Sequence, residues 1–555
     1  MTGGQTLRPF LWRAERLYPD REIVARTGDG TARRTYAAYG DRIRRLANAL
    51  TAAGIGPGDR VGTVCWNTVE HFEAYFGVPN LGAQLHTINP LLPDHHIRHI
   101  VEDAGDRLLF VDPSLAETVA AAAAEADGAF ESVERFVFTG TDVPDVDLSP
   151  ATDYESFLAG QEATVDWPSL AEDQPAGMCY TSGTTGLPKG VEYTHEMLWS
   201  HTMALLTPQA MCIEDADVVM PVVPMFHVNA WGMPFAATAA GAKQVYPGPA
   251  PGPEDLIGLI EREGVTLAAG VPTVWLDALE YAAETGAELE TLDRVVVGGA
   301  AAPRTLIEEF ATYGVDVLHA WGMTELSPLG SLATIKYDRR DADEQRRVET
   351  QTTQGLLAPG LECRVLDDEG EEVPWNGETY GELLVRGPWV AEEYHDRSAA
   401  TEAAFEGSWL RTGDIVTIDS DGYIEIVDRT DDVIKSGGEW ISSVELENAI
   451  MAHEAVQEAA VVGVSDERWG ERPVAAVVLA EPGAVDRERV VGELGERLRD
   501  RYPDWWLPDA VEFLDEVPKT ATGKFSKRTL RERYAETGRA AFDIVLEDSD
   551  DPDGR

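Results

Sequence analysis

A loop rich in glycine and hydroxyl residues lies at positions 180–191, with the sequence YTSGTTGLPKGV. Its backbone N–H groups, hydroxyls and single ammonium are the groups that bind a polyphosphate. The loop is not a Walker A motif, because only two residues separate its first two glycines and a glycine follows Lys189 where that motif has Ser or Thr. The residue types therefore predict phosphate chemistry of a different kind.

Three further motifs combine glycine or hydroxyl residues with a single carboxylate or ammonium. They are HAWGMTE at 319–325, WLRTGDI at 409–415 and PKTATGKFSK at 518–527.

The four motifs, in this order, resemble those of the adenylate-forming superfamily of acyl-CoA synthetases, adenylation domains and beetle luciferases. The resemblance covers residues 10–540. Three other segments are most similar to medium- and long-chain fatty acyl-CoA ligases: HTINP at 86–90, PMFHVNAWGMP at 224–234 and IKSGGEWISS at 434–443. The resemblance implies a fatty acid, ATP and CoA as substrates, and Mg²⁺ as cofactor.

The implied reaction has two steps. A carboxylate attacks the α-phosphorus of ATP and expels pyrophosphate, and a thiol then attacks the acyl-adenylate and expels AMP. Because the first nucleophile is already an anion, the site needs positioning and charge neutralisation more than it needs a general base.

Roles in ATP binding follow from the resemblance. Glu325 resembles the magnesium ligand and Thr324 an α-phosphate contact, while Lys524 resembles the lysine that bridges the attacking carboxylate and the α-phosphate. The remaining predicted contacts belong to three groups: the β- and γ-phosphate loop (Thr181, Ser182, Gly183, Thr184, Thr185, Lys189), the adenine site (Ala320, Trp321, Gly322) and the ribose site (Asp414, Arg429).

The acyl pocket is predicted to form from the segments 225–231 and 298–302, of which the second consists of glycine and alanine. Its predicted lining residues are His227, Val228, Asn229, Trp231, Gly298, Gly299 and Ala300. Alanine and glycine leave volume for an alkyl chain, and the segment 226–228 contains no Asp that could pair with an amino-acid ammonium. The sequence therefore favours an apolar acid over an amino acid.

A small mobile C-terminal domain is also implied by the resemblance. It would rotate between the two steps about a hinge at Asp431. The residues predicted to approach the pantetheine channel after that rotation are Lys435, Gly437, Gly438, Glu439 and Trp440.

The elements that must position these motifs follow an alternation of strands and helices up to about residue 340, which predicts layered α/β architecture. Examples are an amphipathic helix at 42–54 and strands at 108–111 and 294–297. We expect a large N-terminal domain at 1–428, of which 355–428 is β-rich, and a mobile α+β domain at 429–540. An acidic tail at 541–555 is predicted to be disordered.

The composition is strongly acidic. The 555-residue chain has 98 Asp and Glu against 45 Lys and Arg, a formal net charge of -53, and only seven of the basic residues are Lys. Such a surface repels nucleic acid, and it is typical of a cytoplasm with very high salt. An acidic interaction protein is the rival interpretation, but it would carry acidic blocks, whereas here the charge is spread along the chain.

The chain shows no run of about 18 apolar residues and no apolar signal core, so we expect a cytoplasmic protein without an integral membrane segment. A homodimer is a further expectation. Four alternatives to a fatty acid–CoA ligase stay open: a CoA ligase for an aryl or thioether acid, an adenylating enzyme that loads a carrier protein, an inactive nucleotide-binding paralogue, and a luciferase-like oxygenase.

Overall fold

The structure is a computed structural model. It describes residues 4–28, 30–124, 130–181, 187–340, 342–437, 439–466, 468–480, 486–519, 525–537 and 544–545.

The strands form four sheets. In chain order they are β1 (Glu22–Thr27), β2 (Gly30–Thr35), β3 (Arg60–Val64), β4 (Gln84–Thr87), β5 (Leu108–Val111), β6 (Arg135–Phe138), β7 (Ala151–Asp153), β8 (Pro175–Tyr180), β9 (Gly190–Thr194), β10 (Val218–Pro221), β11 (Lys243–Tyr246), β12 (Leu267–Gly270), β13 (Arg294–Val297), β14 (Asp316–Gly322), β15 (Leu329–Leu332), β16 (Leu356–Leu357), β17 (Glu362–Leu366), β18 (Gly381–Arg386), β19 (Phe405–Glu406), β20 (Trp409–Ile418), β21 (Ile424–Arg429), β22 (Ile434–Ser436), β23 (Glu439–Ile441), β24 (Val456–Asp466), β25 (Gly470–Leu479), β26 (Ala510–Phe513) and β27 (Ile544–Val545).

The helices flank these sheets along the chain. They are α1 (Arg8–Leu17), α2 (Tyr36–Ala52), α3 (Val69–Asn80), α4 (Asp94–Ala104), α5 (Ala116–Ala124), α6 (Tyr154–Leu158), α7 (His195–Leu205), the short turn α8 (Val228–Trp231), α9 (Met233–Ala240), α10 (Pro253–Glu263), α11 (Pro272–Thr285), α12 (Arg304–Thr312), α13 (Glu344–Thr352), α14 (Ser398–Ala404), α15 (Ser443–Met451), α16 (Arg487–Arg499) and α17 (Lys527–Thr537).

Two compact units make up the chain. The first comprises Met1–Cys363, Val385–Leu410 and Ser420–Ile424, and the second comprises Arg364–Leu384, Arg411–Asp419 and Glu425–Arg555. The predicted fold class, a large N-terminal α/β domain with layered sheets and a smaller C-terminal domain, is confirmed. The predicted boundary at residue 428 and the mobility of the smaller domain stay predictions.

The first unit contains two large sheets with parallel centres. The nine-stranded sheet has the order β16-β15-β14-β13-β12-β10-β11-β1-β2, and β11, β10, β12, β13 and β14 run parallel to one another. The seven-stranded sheet has the order β7-β6-β5-β3-β4-β8-β9, with only β9 antiparallel to its neighbour. Parallel strands place their carboxyl ends at one edge, which is where ligands bind in open α/β sheets.

A third sheet contains β17 to β21, in which β20 pairs with β21 across the turn at 420–421. A fourth, within the second unit, has the order β23-β22-β25-β26-β27, and β24 pairs with β25. Its last strand, β27, lies in the predicted acidic tail and pairs with β26. The rest of that tail, 541–543 and 546–555, lies outside the described residues.

Local chemistry explains where several helices begin. The hydroxyl of Thr35 accepts a hydrogen bond from the Ala38 amide at 3.3 Å, so α2 begins six residues before the predicted start at Arg42. Thr194 caps α7 in the same way, accepting from the Met197 amide at 3.2 Å. The caps fix each helix relative to the strand before it.

Candidate active site

The predicted acyl-pocket segments meet at the carboxyl edge of the nine-stranded sheet. Gly298 directly follows β13, and Trp231 lies in the connection that leaves β10. A Cβ atom added at Gly298 would lie 3.2 Å from the Trp231 ring and 3.0 Å from the Ala320 carbonyl oxygen. Glycine at position 298 therefore allows the indole and the end of β14 to approach each other.

The turn α8 has an unusual backbone. Residues Val228, Asn229, Ala230 and Trp231 have φ values of 44°, 55°, 47° and 54°, the left-handed helical region. Each such residue costs about 1–2 kcal/mol, so surrounding contacts must hold the turn. All four side chains are buried, whereas the neighbouring His227 is exposed.

Asn67 supplies some of those contacts, and sequence reasoning missed it. Its amide donates to the carbonyls of Pro221 at 2.8 Å and Val223 at 3.0 Å, and its Oδ1 accepts from the Met225 amide at 2.6 Å. The Tyr75 hydroxyl donates to the Met225 carbonyl at 2.5 Å. The backbone that enters α8 is thus fixed by side chains far away in sequence.

The loop after β13 is tied to β14 by a buried histidine. His319 Nε2 accepts from the Ala302 amide at 3.2 Å, and Nδ1 lies 3.1 Å from the Thr352 carbonyl, so Nδ1 carries the proton. Burial lowers the pKa of His319 to about 4, and the ring is neutral at pH 7. Two predicted pocket residues in this loop, Gly299 and Ala300, are exposed.

The predicted adenine residues lie at the end of β14. Trp321 is buried, while Ala320 is partly buried and Gly322 is exposed. A Cβ at Gly322 would lie 2.1 Å from the Pro328 carbonyl oxygen, so only glycine fits there. The structure therefore fixes this strand end tightly, next to the predicted magnesium ligand.

The predicted magnesium ligand is a buried carboxylate. The Glu325 residue is 6 % exposed, and its Oε1 accepts a hydrogen bond from the Tyr394 hydroxyl at 2.6 Å. The ammonium of Lys189 lies 4.2 Å from the centre of the Tyr394 ring. The structure thus brings together two predicted site residues from different sheets through a tyrosine that sequence reasoning missed.

Thr324 is held through its backbone, because the Tyr193 hydroxyl donates to its carbonyl at 2.8 Å. Burial raises the pKa of Tyr193 well above its usual value, so it stays a donor.

The two ends of the phosphate loop pair with each other. The Thr181 amide donates to the Lys189 carbonyl at 2.9 Å, and the Lys189 amide donates to the Thr181 hydroxyl at 3.3 Å. The other predicted phosphate contacts, Ser182, Gly183, Thr184 and Thr185, lie outside the described residues.

In the second unit, the two predicted ribose contacts form an ion pair. Arg429 Nε lies 2.7 Å from Asp414 Oδ1. The Thr412 hydroxyl accepts from the Asp414 amide at 3.1 Å. These contacts hold the Asp414 carboxylate within the third sheet.

The predicted CoA residues of the second unit share a partner. Asp368 accepts from the Lys435 ammonium at 2.9 Å and from the Trp440 indole N–H at 3.0 Å. The Gly437 amide donates to the Trp469 carbonyl at 2.7 Å. Neither Asp368 nor Trp469 belongs to the predicted site.

The other predicted residues of this unit are less informative. Asp431 is exposed in a turn after β21, and Glu439 pairs through its backbone with Ser436. Gly438 and Lys524 lie outside the described residues. The Ser526 amide donates to the Pro518 carbonyl at 2.7 Å, so residues on either side of Lys524 along the chain are hydrogen-bonded to each other.

A metal ion at Glu325 would have few protein ligands. Among the described residues, no group of three or more His, Cys, Asp or Glu side chains could hold a metal. A cation at Glu325 would therefore take one protein carboxylate and complete its shell with phosphate and water oxygens, which is the style of Mg²⁺. Over the same residues, no helix is long and apolar enough to cross a membrane.

Comparison with known proteins gives two family-model matches. The model described as AMP-binding enzyme matches residues 11–395, and the model described as AMP-binding enzyme C-terminal domain matches residues 445–524.

Three relatives match nearly the whole chain. A long-chain-fatty-acid–CoA ligase of Thermus thermophilus is 45% identical and covers 95% of both chains. A 3-methylmercaptopropionyl-CoA ligase of Ruegeria lacuscaerulensis is 41% identical over 96% of this chain and 98% of its own. A medium-chain-fatty-acid–CoA ligase of Ectopseudomonas oleovorans is 39% identical over 94% and 95%.

Solved structures are similar over the same length. An anthranilate CoA ligase in complex with anthranoyl-AMP has a TM-score of 0.81 at 26% identity, covering 96% of this chain and 98% of that one. The o-succinylbenzoate CoA synthetase of Bacillus subtilis, in complex with ATP and magnesium ion, has a TM-score of 0.77 at 26% identity, covering 94% and 98%.

Proposed function

The chain belongs to the AMP-binding enzyme family, and from this premise we propose that it is an ATP-dependent ligase of fatty acids and CoA. It is an AMP-forming acyl-CoA synthetase, which makes acyl-AMP and pyrophosphate and then acyl-CoA and AMP. The observation that carries the fatty-acid assignment is the 45% identity, over 95% of both chains, with a long-chain-fatty-acid–CoA ligase. The medium-chain relative supports the same substrate class.

ATP, CoA and Mg²⁺ are the co-substrates and cofactor of this reaction. The residues present fit the metal, because the buried Glu325 carboxylate offers one anionic ligand beside the ammonium of Lys189 and the phosphate loop. When bound, Mg²⁺ neutralises charge on the transferring phosphates. We propose Glu325 as its protein ligand, Thr324 as an α-phosphate contact, and the ends of the loop as contacts of the β- and γ-phosphates.

The adenosine contacts proposed are Ala320, Trp321 and Gly322 for the base, and Asp414 with Arg429 for the ribose. The buried carboxylate of Asp414 supports this assignment, since a fixed acceptor can receive hydrogen bonds from both ribose hydroxyls.

Lys524 is proposed to bridge the attacking carboxylate and the α-phosphate. A lone ammonium on a flexible stem suits a group that is delivered for one step and withdrawn for the next. We propose that residues 429–540 form the mobile domain that delivers it, with the hinge at Asp431. In the second step, Lys435, Gly437, Gly438, Glu439 and Trp440 are proposed to approach the pantetheine.

The acyl chain is proposed to lie against Trp231 and the loop that begins at Gly298. The absence of a side chain at Gly298 lets the Trp231 ring pack closely against this loop, and the buried side chains of Val228 and Trp231 support an apolar environment. His227, Gly299 and Ala300 are proposed to line the exposed side of the same pocket, where the acid enters.

A second candidate is a CoA ligase for a thioether acid. It is favoured by the 41% identity with a 3-methylmercaptopropionyl-CoA ligase over 96% of this chain. Transfer of the acyl group to a carrier protein is a further alternative that uses the same first step. We also propose a cytoplasmic location, where ATP and CoA are available, and a homodimer.

Product analysis by mass spectrometry tests the proposal. The enzyme is given ATP, Mg²⁺, CoA and equimolar acids from C2 to C18 with benzoate and 3-(methylthio)propionate, in molar KCl. We expect AMP, pyrophosphate and thioesters centred on one medium or long chain length. Formation of ADP would contradict adenylation, a dominant thioether product would favour the second candidate, and acyl-AMP without thioester would favour a carrier protein.

A further inference from the structure

The segment from Trp389 to Arg397 carries no predicted role, yet it contacts both halves of the proposed ATP site in the first unit. The Ser327 hydroxyl, just beyond Glu325, donates to the Trp389 carbonyl at 2.9 Å. The Ala391 amide donates to the Glu325 carbonyl at 2.7 Å. The segment therefore holds the backbone on which the proposed magnesium ligand is mounted.

Tyr394 contacts the Glu325 side chain as well. Its hydroxyl donates to Glu325 Oε1 at 2.6 Å, and both residues are 6 % exposed. Glu325 is thus fixed at its main chain by Ala391 and at its carboxylate by Tyr394. A hydrogen bond to one oxygen of a metal-binding carboxylate orients the other, and such outer contacts typically contribute about 10–100-fold to metal affinity.

The same tyrosine contacts the phosphate loop. The Lys189 ammonium lies 4.2 Å from the centre of the Tyr394 ring, a cation–π geometry. Tyr394 also forms an antiparallel bridge with Val191, and the His395 amide donates to the Gly190 carbonyl at 2.8 Å. These contacts join the segment to β9, the strand that follows the loop.

The strand that precedes the loop is joined as well. Arg397 forms an ion pair of 2.5 Å with Asp103, and the Tyr180 hydroxyl at the end of β8 donates to the same carboxylate at 2.9 Å. Both strands that flank the phosphate loop are therefore connected to the segment that fixes Glu325.

We propose that Tyr394 is a positioning residue that sets the magnesium carboxylate of Glu325 and the phosphate ammonium of Lys189 relative to each other. The inference rests on the proposed function, since it assumes that these two groups bind Mg²⁺ and phosphate. A phenol suits this position because it is a neutral donor: it orients the carboxylate without neutralising it. A basic residue there would compete with the cation for Glu325.

The two contacts of Tyr394 can be separated by substitution. Tyr394→Phe removes the hydroxyl and keeps the ring beneath Lys189, whereas Tyr394→Leu removes both. Tyr39→Phe is the matched control, because it deletes another buried hydroxyl of the same unit, one with no hydrogen-bond partner among the described residues.

The measurement is ATP binding by isothermal titration calorimetry, over a range of Mg²⁺ concentrations and in EDTA, without acid or CoA. We expect Tyr394→Phe to raise the Mg²⁺ concentration required for half-maximal binding by about tenfold or more, with affinity in EDTA unchanged. Tyr394→Leu should in addition weaken binding in EDTA, because Lys189 loses its ring. In a Glu325→Gln background, Tyr394→Phe should cause no further change.

The inference would be overturned if Tyr394→Phe and Tyr39→Phe required the same Mg²⁺ concentration for half-maximal ATP binding. It would also be overturned if Tyr394→Phe lost the same ATP affinity with Mg²⁺ as in EDTA. Both results assume a wild-type protein that binds ATP in a Mg²⁺-dependent manner. Absence of that binding in the wild type would instead refute the proposed function, together with the inference that rests on it.

Discussion

Arg429 and Asp414 form an ion pair in which one partner is buried and the other is largely exposed. Their Nε–Oδ1 distance is 2.7 Å, and the side chains are 53% and 1% exposed respectively. Removing the carboxylate leaves a guanidinium that water can solvate, so the cost to stability is small compared with that of breaking a fully buried pair. The pair therefore allows the proposed ribose role to be tested without unfolding the protein.

We expect Asp414→Asn to raise the KM for ATP by roughly 10–100-fold, since a hydrogen bond to a charged group is worth about 1.5–3 kcal/mol. The KM for the fatty acid should change little. Steady-state kinetics with each substrate varied in turn measures both. The matched control is Glu382→Gln, which removes the carboxylate of another arginine–carboxylate pair of the same sheet, the pair of Glu382 with Arg411. An ATP KM for Asp414→Asn equal to that of this control would contradict the ribose assignment.

Much of the fold could be predicted because its signals are local. The strands β5 and β13 have the predicted bounds, since each is a short apolar run that ends at a polar or glycine residue. The start of α2 was predicted six residues late, at Arg42. Its first turn contains the buried aromatics Tyr36 and Tyr39, which continue the apolar face of Ile43 at helical spacing. The cap residue Thr35 marks the true start of the helix.

The site could be predicted only where residues lie within contiguous motifs. Tyr394 is 69 residues from Glu325 along the chain, and Asn67 is 158 residues from Met225, so no periodicity or spacing links them. The scarcity of lysine was also only a partial guide to which lysines belong to the site. Of the seven lysines, Lys519 and Lys527 have no predicted site role, and they form ion pairs with Glu458 and Glu447.

Lys524→Ala separates the two half-reactions. We expect it to lower the rate of adenylate formation by at least about a thousandfold, because the charge between carboxylate and phosphate is no longer cancelled. Thioester formation from supplied acyl-AMP should stay within a few-fold of wild type. Quenched-flow assays of each half-reaction measure the two rates. The matched control is Lys519→Ala, which removes another ammonium of the same segment, partly exposed and paired with Glu458. Equal loss in both half-reactions would refute the division of roles.

Gly298→Ala tests the acyl pocket. The added methyl group lies 3.0 Å from the Ala320 carbonyl and 3.2 Å from the Trp231 ring, so it crowds the indole against which the acyl chain is proposed to lie. We expect the ratio of kcat/KM for a C12 acid to that for a C4 acid to fall by about tenfold, and stability to fall by about 1–3 kcal/mol. Gly492→Ala, at a helix position with nothing within 4 Å, is the control. An unchanged ratio would contradict the placement of the acyl chain beside Gly298 and Trp231.

Buried histidines predict the pH dependence of stability. Burial lowers the pKa of His71, His195 and His319 to about 4 and that of His201 to about 3. The unfolded chain takes up protons below about pH 6.5, whereas the native rings stay neutral, so stability is lost as pH falls from 6.5 towards 4. Each lowered pKa unit corresponds to about 1.4 kcal/mol.

Two buried carboxylates act in the opposite direction, because burial raises the pKa of Glu73 and Glu447 to about 7. Burial also raises the pKa of several other carboxyl groups, among them Glu70 and Glu425, so the contribution of a histidine is best isolated by substitution. We expect His201→Gln to make the free energy of unfolding depend less steeply on pH between 6.5 and 4.5, by about one proton. His95→Gln, at an exposed position, is the control, and urea midpoints measured over this range test the change. A pH dependence of His201→Gln equal to that of the wild type would contradict the burial of this ring.

The net charge of -53 predicts a dependence on salt. Repulsion among surface carboxylates acts over about 10 Å at 0.1 M salt and about 3 Å at 1 M, so molar KCl removes most of it. We expect the melting temperature to rise by roughly 10 °C between 0.1 and 2 M KCl. Sorbitol at equal osmolality is the control, because it stabilises by exclusion without screening charge. Equal gains in KCl and sorbitol would mean that surface repulsion does not govern the stability of this chain.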